Sequence, residues 1–557
     1  MKMENAQLAE QLDLLSKLLD IHGSDTFKSK SYAAAAFTIE KLPYPLANTN
    51  PENWKNIRGI GSSVAGALSQ LIETGKLTVL DDLISNTPSG VIEMLQIKGV
   101  GPKKIHTIWK EMGIESMGEL LYACQENRLL HYKGFGEKTQ VSIENSIRFL
   151  LQHKGHFLFA EIEALLPTIE SFLHQQFGQE NVAVTGDFRR QLPTLKELSF
   201  VIGTSKESIK EKFLTAQPPE LIEETEDSLC YQLKNGLAIR LYNSSNLSLD
   251  LLKTSSTPEF YEALLSIPAQ LDVATQPPQK PDDIFFLKRN IPVSSPARRE
   301  SKKQLEKAYL TMPIQVESIR GLIHCHSTWS DGANTIEEMA KDCLDNKWEY
   351  MVLSDHSASA FYANGLKSDR VAAQHQQIDE LNKKLAPFRI FKSIESDILN
   401  DGSLDYEATV LSSFDLIIAS VHSNLRMIEE TATNRLLKAI ENPFTTILGH
   451  PTGRLLLSRE GYPIDHKRII DACAEHKVAI EINAHPRRLD LDWKWLDYAI
   501  EKGVFISINP DAHALAGLSD VRYGVLIAQK SLLTPAMNLS SFSKIQLEQW
   551  LAERKRS

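Results

Sequence analysis

Between Gly321 and His513 the chain repeats a pattern that few folds can satisfy: short apolar or β-branched runs, nearly all of which end in a histidine or an acid. The first, GLIHCHSTWSDG from Gly321 to Gly332, holds His324, His326 and Asp331. Alternation along a strand places both imidazoles on one side and Ile323 and Cys325 on the other, and a Ser-Asp-Gly turn lets the Asp331 carboxylate fold back over the strand end. The later runs are Tyr350–Ser354, Arg389–Ile394, Asp415–Val421, Thr445–Gly449, Val478–Asn483 and Val504–Asn509. Reading off their ends gives His356, Glu395, His422, His450, and Asp511 with His513. Helical-looking segments separate most of these runs. That alternation predicts a parallel β/α barrel whose functional groups gather at the carboxyl ends of its strands. An isolated His-x-His is more often a polar rim than a ligand pair; its recurrence at successive strand ends makes metal chemistry the better reading.

A mixed imidazole and carboxylate set suits zinc, iron, manganese or magnesium. A water shared by two such ions about 3.5–4 Å apart has its pKa brought toward ~7 and becomes an in-line nucleophile on phosphorus. These residues resemble the polymerase-and-histidinol-phosphatase (PHP) phosphoesterases. The resemblance implies a distorted (β/α)7 barrel with two or three divalent ions, Mn2+ or Zn2+ with Mg2+ as a further option. It places the ligands on His324, His326, Asp331, His356, Glu395, His422, His450, Asp511 and His513, with a metal-bound water held by them as the catalytic group. An acid often precedes the first His-x-His in that family; here it is Leu322, assigned to the surroundings of the ligands.

Arg454, after GHPTG, is either a phosphate contact at the site mouth or a surface ion-pair residue. Arg487 and Arg488 either track a DNA strand or form surface ion pairs. Tyr362, Asn364 and Lys367 in FYANGLK are expected to line the entrance, and Trp329 either stacks a base or packs. A hydrogen-bonding role is expected for His485.

Ahead of the barrel, apolar residues recur at helical spacing from about Ala6 to Leu46, predicting two or three short helices. Three related phrases follow: IRGIGSSVAGAL, IKGVGPKKIHTI and YKGFGEKTQVSI. In each, glycines (Gly59 and Gly61, Gly99 and Gly101, Gly134 and Gly136) make a tight turn into a helix, whose amino end turns backbone N–H groups outward toward a phosphate. Lys103, Lys104 and Lys138 lie just inside two of these ends. Three copies read as helix-hairpin-helix motifs that hold DNA without reading its sequence.

With those motifs in front and the PHP pattern behind, the whole chain resembles the bacterial family X DNA polymerases. The fold class this implies is multidomain α+β and α/β. Residues 1–84 form a helical, lyase-like small domain, 85–155 a fingers-like helix-hairpin-helix domain, 156–265 a degenerate palm, 266–317 a thumb remnant and linker, and 318–557 the PHP domain. In TGDFRRQLPTLKELSFVIG, Gly186, Arg189 and Arg190 match the family's palm element, but two metal-binding aspartates fall on Glu197 and Ser199 and the third on Arg240. A serine lacks the charge a magnesium pair needs and an arginine opposes it, so two-metal nucleotidyl transfer is expected to fail. The place of a Schiff-base lysine in lyase-active relatives is Ala67.

Composition constrains less. The 557 residues carry a formal charge of −10, which does not exclude a local basic patch. Five cysteines without a C-x-x-C pair fit a reducing compartment. No apolar run approaches the roughly twenty residues of a membrane span, so a cytoplasmic protein is expected. The sequence therefore reads as a DNA-binding, metal-dependent phosphoesterase acting on gapped or nicked DNA at 3′ termini, as a 3′→5′ exonuclease or end-processing enzyme in repair. A residual gap-filling polymerase and a small-molecule phosphatase of the histidinol-phosphatase type are the alternatives.

Overall fold

A computed structural model describes residues 3–24, 26–42, 44–57, 59–151, 155–212, 219–270, 278–306 and 313–556. Two compact units are present: Met1–Gln125 with Tyr132–Phe149, and Glu126–His131 with Leu150–Ser557.

The first unit is helical. Asn5–Ile21 and Thr26–Glu40 have 17 and 15 residues, longer than the short helices expected. The reason is a stripe of Leu8, Leu12, Leu15 and Leu18, fully buried at helical spacing, which keeps one face apolar through the whole first helix. Ser16 Oγ donates to the Ser29 carbonyl at 2.8 Å and ties the two helices together. The three glycine phrases share one geometry: Gly59, Gly99 and Gly134 stand at φ +92°, +83° and +95°, where a side chain would strain the backbone. Gly61 and Gly101 cap Ser62–Thr74 and Pro102–His106, and the Gly136 carbonyl accepts from Thr139 and Gln140 at the start of Glu137–Leu151. The middle helix is a short one, passing into a π-type turn at Thr107–Glu111.

Among the described residues the second unit contains three sheets, the smallest being the antiparallel pair Phe157–Leu158 and Thr194–Leu195. A mixed five-stranded sheet runs in the order Val182–Thr185, Glu197–Ile202, Ala238–Asn243, Ser228–Gln232, Glu220–Glu224, with only the second and third strands parallel. It occupies the place read as the palm. Seven parallel strands, Gly321–Cys325, Tyr350–Leu353, Arg389–Asp397, Leu416–Ser420, Ile447–Leu448, Ala479–Asn483 and Ile506–Asn509, follow one another in chain order. The ring nearly closes where Cys325 bridges Ala512, giving a β/α barrel. Its interior is filled by Ile323, Tyr350, Val352, Phe391, Ile418 and Ile447, and Leu547 and Leu551 of the last helix, Lys544–Arg556, join them. A larger apolar layer lies between strands and helices.

Leu489, Tyr523 and Ile527 of the barrel pack into the core of the five-stranded sheet. Buried Lys530 adds a polar tie, donating to the carbonyls of Arg190 and Ala297 and to Glu300 at 2.7, 3.0 and 2.7 Å. In the proline-rich connection, Phe286 docks against Phe260 and Leu264, and Asp282 is clamped by Arg189 and Arg299. The sequence predicts a helix over Ser301–Met312; Lys302–Glu306 is helical, and residues 307–312 lie outside the described residues.

Candidate metal centre

Simple alternation does not hold in the first barrel strand. His324 sits at φ +69°, and the pairing with Tyr350–Leu353 slips between Leu322 and Cys325. The extra residue sends Ile323 into the barrel interior while Leu322 and Cys325 both face the outer apolar layer. Leu322 is thus packing and does not adjoin the ligands as expected. The bulge still aims both imidazoles at one place, their ring centres 5.2 Å apart. Asp511 also stands in the left-handed region, at φ +53°, so strained backbone recurs where the polar groups converge.

The barrel brings together all nine side chains singled out by the sequence. Ligand atoms of His326, Asp331, His356 and His513 lie within 4.8 Å of one another, as do those of His324, His326 and Asp511, and those of His356, Glu395 and His422. Glu395 is the hub, with His356 Nδ1 at 3.0 Å, His422 Nε2 at 3.2 Å, His324 Nε2 at 3.4 Å and His450 Nε2 at 2.9 Å.

The donor set fits divalent ions. His324 Nε2, His326 Nδ1, Asp331 Oδ2, His356 Nδ1 and His513 Nε2 are buried without a hydrogen-bond partner, a costly state that coordination would relieve. Neighbours fix which nitrogen is left for an ion. His324 Nδ1 donates to Glu481 at 2.6 Å, His422 Nδ1 to Asp397 at 2.6 Å, and His513 Nδ1 to the Asp511 carbonyl at 3.0 Å. Burial alone would discharge these imidazoles. Carboxylates win at His324, held well above the usual range by Glu481, Asp511 and Glu395, and at His422, pushed up to about 10 by Glu395 and Asp397. His513 is likewise pushed up to about 9 by Asp331, Glu126 and Asp511. At His356 burial wins, holding it well below the usual range.

Glu481, Asp397 and Asp355 are functional neighbours that the sequence reading missed. For the two aspartates the signal was spacing: Asp397 is two residues beyond Glu395 on the same strand, and Asp355 precedes His356. Asp355 accepts from Ser327, Ser330 and Gln374, fixing the turn that carries Asp331.

Contacts place the other candidate residues. Arg454 does not face the site: its guanidinium bonds Asp492 and the carbonyls of Arg488 and Leu489, bracing that loop. Trp329 packs, donating to Gln377 at 2.8 Å with Arg370 against its ring. Arg487 reaches Glu161 at 3.4 Å and Arg488 lies 3.9 Å from Asp511. His485 Nδ1 accepts from the Arg487 backbone at 3.2 Å, the hydrogen-bonding role expected. Asn364 and Lys367 are exposed, whereas the Tyr362 hydroxyl is buried.

In the five-stranded sheet, Ser199 and Arg240 are direct partners on adjacent parallel strands, with Glu197 beside them. Arg240 Nε donates to both Glu197 oxygens at 2.8 and 3.0 Å, and its other nitrogens reach Glu223 at 2.7 Å and Ser228 at 3.2 Å. Burial works against the charge, yet the hydrogen bonds it donates to Glu197 and Glu223 push the guanidinium above the ordinary arginine range. Asp187 is paired with Arg190. In the helical unit, Lys104 Nζ lies 3.3 Å from the Gly99 carbonyl, while Lys138 is exposed.

Family comparison agrees with this anatomy. Residues 3–77 match a helix-hairpin-helix domain and residues 91–143 a SAM-like helix-hairpin-helix tandem. Over 550 residues, covering 95% of this chain and 96% of the relative, the sequence is 30% identical to a DNA polymerase/3'-5' exonuclease PolX of Bacillus subtilis (strain 168). The chain belongs to the PolX family. PolX features therefore extend from the first helix to the barrel. A probable phosphatase of Thermoanaerobacter sp. (strain X514) is 26% identical over 250 residues, 42% of this chain and 94% of the relative. One from Vibrio atlanticus (strain LGP32) is 28% identical over 208 residues, 34% and 76%. Among the described residues, no helix is long and apolar enough to cross a membrane.

Proposed function

We propose that this PolX-family chain is a metal-dependent DNA phosphoesterase acting on 3′ ends at gaps and nicks, with a folded but catalytically silent palm. One observation carries the reading: nine histidines and acids, all buried except the half-buried His422, converge at the carboxyl ends of the barrel strands, several with unpaired nitrogens facing one another. The division at 84, 155, 265 and 317 remains the working domain scheme.

His326, Asp331, His356 and His513 would hold one ion, His324, His326 and Asp511 a second, and His356, Glu395 and His422 a third, with His450 beside Glu395. Manganese or zinc suits the mixed donors best. Ions bound there supply Lewis acidity toward phosphate oxygens and lower the pKa of water near them. The chain's own residues prepare that chemistry. Glu481 and Asp397 fix the tautomers of His324 and His422, Asp355 holds the Asp331 turn, and burial keeps the carboxylates from being screened by solvent. The hairpins of the helical unit would supply sequence-independent backbone contacts through Gly59, Gly61, Gly99, Gly101, Gly134 and Gly136, aided by Lys103, Lys104 and Lys138.

Silence of the palm is supported by charge. Where nucleotidyl transfer needs carboxylates around magnesium, the Arg240 guanidinium already occupies Glu197 and Glu223. The test is a 5′-labelled primer–template incubated with manganese, with and without nucleotides, beside His326→Ala and Glu197→Ala. Shortening lost only in His326→Ala supports the proposal. Extension lost in Glu197→Ala would restore the polymerase reading, and phosphate release from histidinol phosphate with equal efficiency would favour a metabolite phosphatase.

A further inference from the structure

Tyr362 is the one entrance residue whose side chain lies among the ligands. It sits in the turn Phe361–Ala363, its ring centre 6.2 Å from that of His356 and 6.4 Å from that of His422, edge-on to both. Its hydroxyl oxygen is buried and has no hydrogen-bond partner. A buried phenol O–H normally finds an acceptor, so an orphan here marks a place where an acceptor arrives from outside.

The loop that presents Tyr362 is fixed. Arg370 donates to the Asn364 carbonyl at 2.8 Å and to the Trp329 carbonyl, and Asn364 Nδ2 also reaches Trp329 at 3.3 Å. The Leu366 N–H donates to the His356 carbonyl at 2.8 Å, tying the loop to a ligand strand. Against the Tyr362 ring lies Arg128, its guanidinium carbon 4.6 Å from the ring centre, in the segment Glu126–His131 that belongs to the barrel's compact unit. The Arg128 partner is Glu126, at a loose 4.0 Å, and Glu126 itself reaches His513 Nε2 at 4.0 Å. A neutral donor and a loosely paired cation therefore stand side by side at a site built of metal-type ligands. One fits a non-bridging phosphate oxygen and the other a second phosphate.

Resting on the phosphoesterase reading above, we propose that Tyr362 and Arg128 are its substrate-contacting pair. The Tyr362 hydroxyl donates to a non-bridging oxygen of the scissile phosphodiester, and Arg128 binds the adjoining phosphate of the same strand. The pair selects a polynucleotide end over an isolated phosphate ester.

The experiment compares wild type, Tyr362→Phe and Arg128→Ala as full-length, manganese-loaded proteins. Two substrates are used: thymidine 5′-(p-nitrophenyl phosphate), with one phosphate, and an oligothymidylate, with many. Calorimetry with thymidine 5′-monophosphate gives a binding readout independent of turnover, and metal content and Tm are recorded for each protein. Tyr362→Phe is expected to lower kcat on both substrates by ~100-fold, as for loss of a preorganised donor, and to weaken mononucleotide binding, with manganese content unchanged. Arg128→Ala is expected to raise KM about tenfold on the oligonucleotide alone. Tyr362→Phe within twofold of wild type in both turnover and mononucleotide binding overturns the Tyr362 assignment; so does a loss that merely follows lost manganese, which would make Tyr362 a support for His356. An equal effect of Arg128→Ala on both substrates overturns the second-phosphate role. If wild type cleaves neither substrate, the phosphoesterase reading falls, and the calorimetry still judges Tyr362.

Discussion

Glu481→Gln tests how far one buried carboxylate organises the centre. In the wild type, Glu481 Oε1 accepts from His324 Nδ1 at 2.6 Å and from Asn509 Nδ2 at 2.7 Å, and Oε2 accepts from the His450 N–H at 2.6 Å. All three partners are donors. A glutamine keeps the shape but has a single acceptor oxygen, so its NH2 must face either the His450 amide or the His324 ring. One hydrogen bond to a charged acceptor is lost and a buried donor is left unpaired, costing about 1–3 kcal/mol. Part of that is recovered if the His324 ring changes tautomer, but then Nε2 carries the proton and no longer faces an ion with a lone pair. The expected result is a 10–100-fold weaker manganese or zinc affinity, or about 1.4–2.8 kcal/mol, measured by chelator competition. Affinity within twofold of wild type would refute the reasoning that Glu481 orients His324.

Other predictions concern charge and packing. In metal-free protein, His422 and His513, raised to about 10 and 9, contribute stability that is fully present below the unfolded value of about 6.5 and lost as pH rises through those values. Its Tm should fall from pH 6.5 to 10, and Glu395, held well below the carboxylate range, loses its share only in acid. Metal binding should release protons, read by calorimetry in buffers of different ionisation enthalpy; a Tm that rises across that window would contradict the assignment. Lys530→Met strands two carbonyls and removes one partner of Glu300, and is expected to cost roughly 3–5 kcal/mol, seen as a lower Tm with metal affinity intact. Arg240→Glu places three acids together and should lower Tm without altering hydrolysis. Lys103→Ala with Lys138→Ala should weaken DNA binding alike for all sequences and reduce the salt slope by about 2.

The sequence revealed much because its signals were periodic. Apolar runs that each carry a ligand type at the end can be read without a structure, and the barrel strands lie within a few residues of those runs. The glycine turns were legible for a similar reason, since φ near +90° at Gly59, Gly99 and Gly134 is a backbone state that glycine alone adopts easily. What escaped the reading depends on three-dimensional choices between equivalent uses of a residue. The His324 bulge is invisible in a pattern of alternating residues. Arg454 follows a ligand strand, yet its donors are captured by Asp492 and two carbonyls 34 to 38 residues away in the chain. Glu481 sits on the Ala479–Asn483 strand without a His-x-His or turn motif to mark it, and its role follows only from three donors meeting it in the barrel.

The most direct measurement is anomalous diffraction from crystals of the full chain soaked in manganese. The account predicts peaks among His324, His326, Asp331, His356, Glu395, His422, His450, Asp511 and His513, and none beside Glu197, where the Arg240 guanidinium already sits. Manganese bound at Glu197 and Asp187 with the barrel pocket empty would contradict it.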